Sequence, residues 1–80
     1  MADFRDLDEV ASKFAVELGR MLREARLEKG LTQMELSKRT GATQQCISFW
    51  ETGKQLPAVF GLIRVAHALD LELKISFGGE

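Results

Sequence analysis

The sequence predicts a mainly α-helical fold, a bundle of four helices followed by one C-terminal β-strand. Three observations predict it. Apolar residues recur at spacings of three and four from Leu7 to Ala25 and again from Val59 to Leu69. Between these two runs, Leu31 to Lys54 reads as helix, tight turn, helix, punctuated by cap residues and glycines. From Leu71 to Phe77 the period switches to two, apolar at odd positions and polar at even ones.

The first helix spans about Leu7 to Lys29. Its apolar face carries Leu7, Val10, Phe14, Leu18, Met21, Leu22 and Ala25, with Asp6 or Asp8 as its cap and Gly30 ending it. Gly19 lies inside it at a cost of about 1 kcal/mol against alanine, which suggests a close contact there. Residues 1–17 form an N-terminal helical extension. Its front face (Phe4, Leu7, Val10, Phe14) packs either on a partner or on the domain's own core.

The second helix starts after Thr32. Thr32 and Glu35 form a capping box, and Leu31 with Leu36 staples the entry. It ends at Thr40, where Gly41 supplies a left-handed turn. The third helix is capped by Thr43, runs to about Thr52 and is closed by Gly53. Ile47 and Trp50 share its inner side; Gln44, Gln45, Ser48 and Phe49 share the outer one. Only Gly41 and Ala42 separate these helices. That is too short for antiparallel packing, so they cross steeply, as in a helix-turn-helix. The fourth helix runs from about Ala58 to Leu69, with Val59, Leu62, Ile63, Ala66 and Leu69 expected to face inward.

The alternating residues 71–77 form a half-buried strand with Leu71, Leu73, Ile75 and Phe77 on its apolar side. A lone strand is not viable, and no other strand is expected in the chain. The same strand of a second subunit, paired antiparallel across a two-fold axis, resolves this. A homodimer follows from the alternation.

Eighty residues predict a single domain, 1–80. The net charge of −1 hides an asymmetry. Arg20 to Gln55 holds seven basic and four acidic residues, a local charge of +3, against −4 for the remainder. A basic face on an acidic body suits phosphate, with specificity left to base contacts. Gln44 and Gln45 each carry a donor and an acceptor that match the N6/N7 edge of adenine. Thr43 and Ser48 stand beside them as further base contacts. Phe49 either meets a thymine methyl or folds back on the domain. Thr32, Gln33, Arg39, Thr52 and Lys54 are the expected phosphate contacts, helped by the free amides of the helix N-termini.

At Leu31 to Lys54 the sequence resembles the Cro/repressor-type (XRE) helix-turn-helix family, whose fold is lambda-repressor-like. The resemblance rests on Gly30-Leu31-Thr32-Gln33, Glu35-Leu36, Gly41, Ile47-Ser48 and Trp50-Glu51-Thr52-Gly53-Lys54. The strand in place of a fifth helix is similar to the HipB-like antitoxin subgroup. That resemblance implies a sequence-specific repressor that binds double-stranded DNA at a palindromic operator. It also implies a toxin partner, a HipA-like kinase, in a HipBA-like toxin–antitoxin operon. It further implies that Gln33 binds phosphate and braces Gln44, and that Arg26 and Glu51 form a structural pair. A phage or mobile-element repressor without a toxin, and a protein-interaction module with secondary DNA binding, remain alternatives. Phe49, Ser37 and Ala58 depart from the family pattern, which commonly has a polar residue, alanine and serine there.

Other classes find little support. No nucleophile–base pair, glycine-rich phosphate loop or paired carboxylates occur, so no enzyme is expected. One cysteine, Cys46, excludes an intramolecular disulfide and a multi-cysteine zinc site, and His67 has no ligand partners at suitable spacing. No cofactor or metal is expected. With no membrane-spanning apolar run and an acidic start rather than a signal pattern, the expected location is cytoplasmic and nucleoid-associated.

Overall fold

A computed structural model describes residues 4–79. A 3-10 turn, Phe4–Asp6, leads into four helices: α1 (Leu7–Glu28), α2 (Gln33–Thr40), α3 (Gln44–Thr52) and α4 (Val59–Ala68). The first three residues of the extension, and the Phe4 side chain of its front face, lie outside the described residues.

Local chemistry sets most of the boundaries. Asp6 holds the N-cap position of α1 but makes no side-chain cap bond. The preceding turn leaves it at φ −88° and ψ 0°, whereas a capping side chain needs an extended backbone to reach back. At the other end Gly30 is left-handed, and the Leu31 amide reaches back to the Arg26 carbonyl at 3.2 Å. Thr32 is extended and forms both halves of the capping box: Glu35 N donates to Thr32 Oγ1 at 3.0 Å, and Thr32 N to Glu35 Oε1 at 2.9 Å. Thr43 caps α3 with one bond only, its hydroxyl accepting from the Cys46 amide at 3.1 Å.

The core is Leu31, Leu36, Ile47, Trp50, Val65 and Leu69. α3 lies at its centre, with α1 and α2 packed on it and α4 packed on α2. Gly19 faces the end of α3 so closely that a Cβ there would stand 2.7 Å from the Glu51 carbonyl oxygen. The expected close contact is therefore between backbones.

The structure decides or departs from the expected packing in three places. Leu7, Val10 and Phe14 are exposed and do not cover the domain's own core. On α4, Val59 and Ile63 are also exposed, and Gly61 and Val65 face inward instead. The Trp50 ring packs against this side of α4: it would stand 3.1 Å from a Cβ at position 61, a tight fit for any residue larger than glycine. Finally, residues 71–79 form neither helix nor strand. A strand is defined by its ladder, and this single chain presents no second extended segment to build one among its described residues. Leu71 closes α4 through its amide, bonded to the Ala66 carbonyl at 2.8 Å. Leu71 and Leu73 then border an apolar groove between α1 and α4, floored by Leu18, Leu22, Leu62 and Ala66. Ile75 is exposed and Phe77 wholly so.

Candidate nucleic-acid interface

The turn between α2 and α3 is built from short-range bonds. Gly41 takes φ +79° and its amide bonds the Ser37 carbonyl at 2.9 Å. Ser37 Oγ donates to the Ala42 carbonyl at 2.6 Å, and the Ala42 amide donates to Thr40 Oγ1 at 3.1 Å. Ser37, at a position where alanine is usual in the resembled family, thus ties α2 to the second residue of the turn. Arg64 of α4 completes the arrangement by donating through Nε to the Thr40 carbonyl at 2.8 Å, with its Nη2 on the same oxygen. Its guanidinium also lies 5.7 Å from the Phe60 ring centroid. Sequence reasoning missed Arg64, because a carbonyl left over on another helix has no local signature.

This frame exposes Thr43, Gln44 and Gln45 together at the N-terminus of α3. The amides of Gln44 and Gln45 belong to the first turn, where no intrahelical acceptor exists. The same holds for Gln33 and Met34 at the start of α2. Ser48 and Phe49 are half-buried along the same side of α3. Thr32, Arg39, Thr52 and Lys54 are exposed, and Gln33 is half-buried.

Several of these side chains already have partners within the chain. Gln33 Nε2 donates to Glu51 Oε1 at 3.1 Å, and among the described residues no hydrogen bond joins Gln33 to Gln44. The Thr52 hydroxyl donates back to the Ser48 carbonyl at 2.9 Å, and the Gly53 amide to the Trp50 carbonyl at 3.3 Å. The Thr52-Gly53 corner therefore spends these donors on closing α3, and among the described residues the Lys54 ammonium beside it pairs with no carboxylate. Arg39 Nη1 makes a long contact, 3.5 Å, to the Ala68 carbonyl at the end of α4. The Lys54 ammonium lies 5.7 Å from the Phe49 ring centroid.

Beneath this surface lies a buried ion pair. Arg26 Nε donates to Glu51 Oε2 at 2.7 Å, Nη2 to Glu51 Oε1 at 2.9 Å, and Nη1 to the Leu31 carbonyl at 2.7 Å. The hydrogen bonds to Glu51 hold the guanidinium above its ordinary range, against the opposing effect of burial. One residue of α1 thereby fixes the entry to α2 and the end of α3. Every buried side-chain polar atom among the described residues has a partner, and no group of three or more residues suited to a metal ion occurs among them. Among the described residues no helix is long and apolar enough to cross a membrane.

Comparison with known proteins agrees with this architecture. An uncharacterized HTH-type transcriptional regulator of Sinorhizobium fredii is 46% identical over 55 residues, which is 69% of this chain but 28% of that protein. The chain therefore spans less than a third of that relative's length. An uncharacterized HTH-type transcriptional regulator of Methanothermobacter thermautotrophicus is 44% identical over 52 residues, 65% of this chain and 75% of that protein. The ImmF control region 10 kDa protein of Bacillus phage phi105 is 34% identical over 59 residues, 74% of this chain and 66% of that protein. The helix-turn-helix family pattern matches residues 22–75, which takes in α2, the turn, α3 and α4, and the chain belongs to the helix-turn-helix family.

Proposed function

We propose that the chain is a sequence-specific DNA-binding repressor that acts as a homodimer on a palindromic operator. The observation that carries this is the joint exposure of Thr43, Gln44 and Gln45 at the N-terminus of α3, on a turn locked by Ser37, Thr40 and Arg64. α3 enters the major groove, with Gln44 and Gln45 as adenine readers flanked by Thr43 and Ser48. Thr32, Gln33, Arg39 and Lys54 contact phosphates, with Thr52 beside them. Two copies pair through residues 71–77, which sets half-sites about one helical turn apart or a multiple of it. The location that suits this work is the cytoplasm, on the nucleoid.

The finer reading is an autoregulating antitoxin whose toxin is a HipA-like kinase. It is supported by the alternating tail and by exposed Leu7, Val10 and Phe14 on α1, which offer a surface to a second protein. A plain phage-type repressor is the second reading, favoured by the likeness to the phage phi105 control-region protein.

A mobility shift on DNA from upstream of its own gene tests the core of the proposal. Wild type should prefer that duplex to a scrambled one. Gln44→Ala and Gln45→Ala should each erode the preference by about 1–3 kcal/mol per bidentate pair lost. Equal binding of every duplex by all three proteins sinks the specific repressor. Co-purification with the product of the adjacent gene separates the two finer readings, since only the antitoxin retains a kinase-like neighbour.

A further inference from the structure

We propose that Phe49 is a positioning residue: its ring holds the Lys54 ammonium in place to grip a DNA backbone phosphate, and does not itself read a base. The inference rests on the chain binding DNA through α3. Phe49 lies one turn beyond Gln45 at the edge of the outer side of α3, and it is half-buried. Two contacts hold Lys54 to it. The Phe49 carbonyl accepts the Lys54 amide at 2.9 Å, and Lys54 Nζ lies 5.7 Å from the ring centroid. The left-handed Gly53, at φ +78°, makes both possible by turning residue 54 back over residue 49.

Charge and entropy point the same way. Among the described residues no carboxylate pairs with Lys54, so its charge remains available to an incoming phosphate. A free lysine stem loses rotamer freedom when it binds phosphate, and a ring that already restricts the stem lowers that cost. The face of Phe49 that the ammonium occupies is correspondingly closed to a thymine methyl. The neighbouring donors of this corner, Thr52 Oγ1 and the Gly53 amide, are committed inside α3. Lys54 is thus the cation on which the end of α3 depends for phosphate.

Fluorescence anisotropy with the full chain tests this on two duplexes, one from upstream of its own gene and one scrambled. Phe49→Leu keeps an apolar side chain but removes the π face, and Phe49→Tyr restores the face. Phe49→Leu should weaken binding about two- to ten-fold for each half-site, the rotamer cost of ordering an unrestrained side chain, by the same factor on both duplexes. Phe49→Tyr should bind like wild type. Lys54→Gln should lower the salt slope by about 0.9 for each half-site, and adding Phe49→Leu to it should change nothing further.

Loss of preference at a single base pair in Phe49→Leu, with scrambled binding unchanged, makes Phe49 a base reader and overturns the inference. Independent, additive effects of the two substitutions also overturn it. A wild type that binds neither duplex removes the DNA-binding reading itself, and this inference with it. Proton NMR of the free protein supplies a readout that requires no DNA. The Lys54 ε-methylene should be shifted upfield by the ring and return to its ordinary position in Phe49→Leu; no upfield shift in the wild type overturns the inference even where DNA binding is intact.

Discussion

The Arg26 guanidinium grips the Glu51 carboxylate through two parallel hydrogen bonds, and both side chains are more than nine-tenths shielded from solvent. The pair spans 25 residues of sequence and joins α1 to the last turn of α3. Gln33 adds a third side chain to the same carboxylate, so the start of α2 and the end of α3 share one anchor.

Removing either partner leaves a buried charge uncompensated. Glu51→Ala should therefore destabilise the fold by about 3–5 kcal/mol, read as a lower urea midpoint at unchanged slope. Replacing both residues with apolar ones, Arg26→Met with Glu51→Leu, should recover most of that loss. The Leu31 carbonyl would still lose its Arg26 donor, at about 1–3 kcal/mol. A single mutant as stable as wild type would show that solvent reaches the pair.

Gly19→Ala sets two effects against each other. Alanine gains about 1 kcal/mol in helix propensity. Its Cβ would also run into the Trp50 carbonyl oxygen and stand 2.7 Å from the Glu51 carbonyl oxygen, which are backbone atoms of α3 and cannot swing aside. Overpacking of this kind costs about 1–3 kcal/mol, so the net result is a loss of up to about 2 kcal/mol. The melting temperature should fall by about 4–8 °C for each kcal/mol. A melting temperature at or above wild type would mean that α1 and α3 separate without penalty.

Glu35 gives the capping box a pH dependence. Its carboxylate accepts the Thr32 amide, and this bond, then the Thr32 hydroxyl, hold its pKa below the ordinary glutamate value, helped by Arg39 and Lys38. Because the folded pKa is depressed, the stabilisation is fully present above the unfolded value, about 4.3. It is lost as pH falls through the folded value. Glu35→Gln keeps the cap but abolishes this titration. The stability gap between wild type and Glu35→Gln should be constant at neutral pH and shrink as pH drops below about 4.3. A Glu35 carboxyl that titrates at its ordinary value by carbon NMR would contradict the assignment.

What the sequence disclosed divides by range. Thr32, Glu35, Gly41, Thr43 and Gly53 were legible because caps and left-handed turns depend on residues three or four positions apart. Gly19 was legible as a contact because glycine inside a helix carries a cost that needs a reason. The phase of α4 was not legible. Val59 and Ile63 match a helical period as well as Gly61 and Val65 do, and the side that turns inward is the one that meets Trp50, eleven residues before Gly61, and the core of α2 and α3. Arg64 was invisible for a similar reason, since its acceptor is a carbonyl 24 residues away. The outer side of α3 was legible as a surface, but not the Lys54 ammonium over Phe49, because Gly53 had first to fold the chain back.

The tail provides the last prediction. Its alternation is that of a half-buried strand, yet in one chain Ile75 and Phe77 face solvent and residues 71–79 have no ladder. Both facts are satisfied if the missing ladder belongs to a second copy, as the proposed dimer requires. Sedimentation equilibrium of the full chain should then give a dimer, and removal of residues 71–80 should give a monomer. Truncation also bares the groove that Leu71 and Leu73 border, so a milder variant is needed beside it. Ile75→Lys with Phe77→Lys leaves that border intact and should dissociate the dimer, because each lysine would enter the buried side of the strand pair. Helical content should stay the same in both variants, since no helix ends beyond Ala68. If the truncated chain remains dimeric, the interface lies instead on an exposed apolar flank, that of Leu7, Val10 and Phe14 on α1 or that of Val59 and Ile63 on α4.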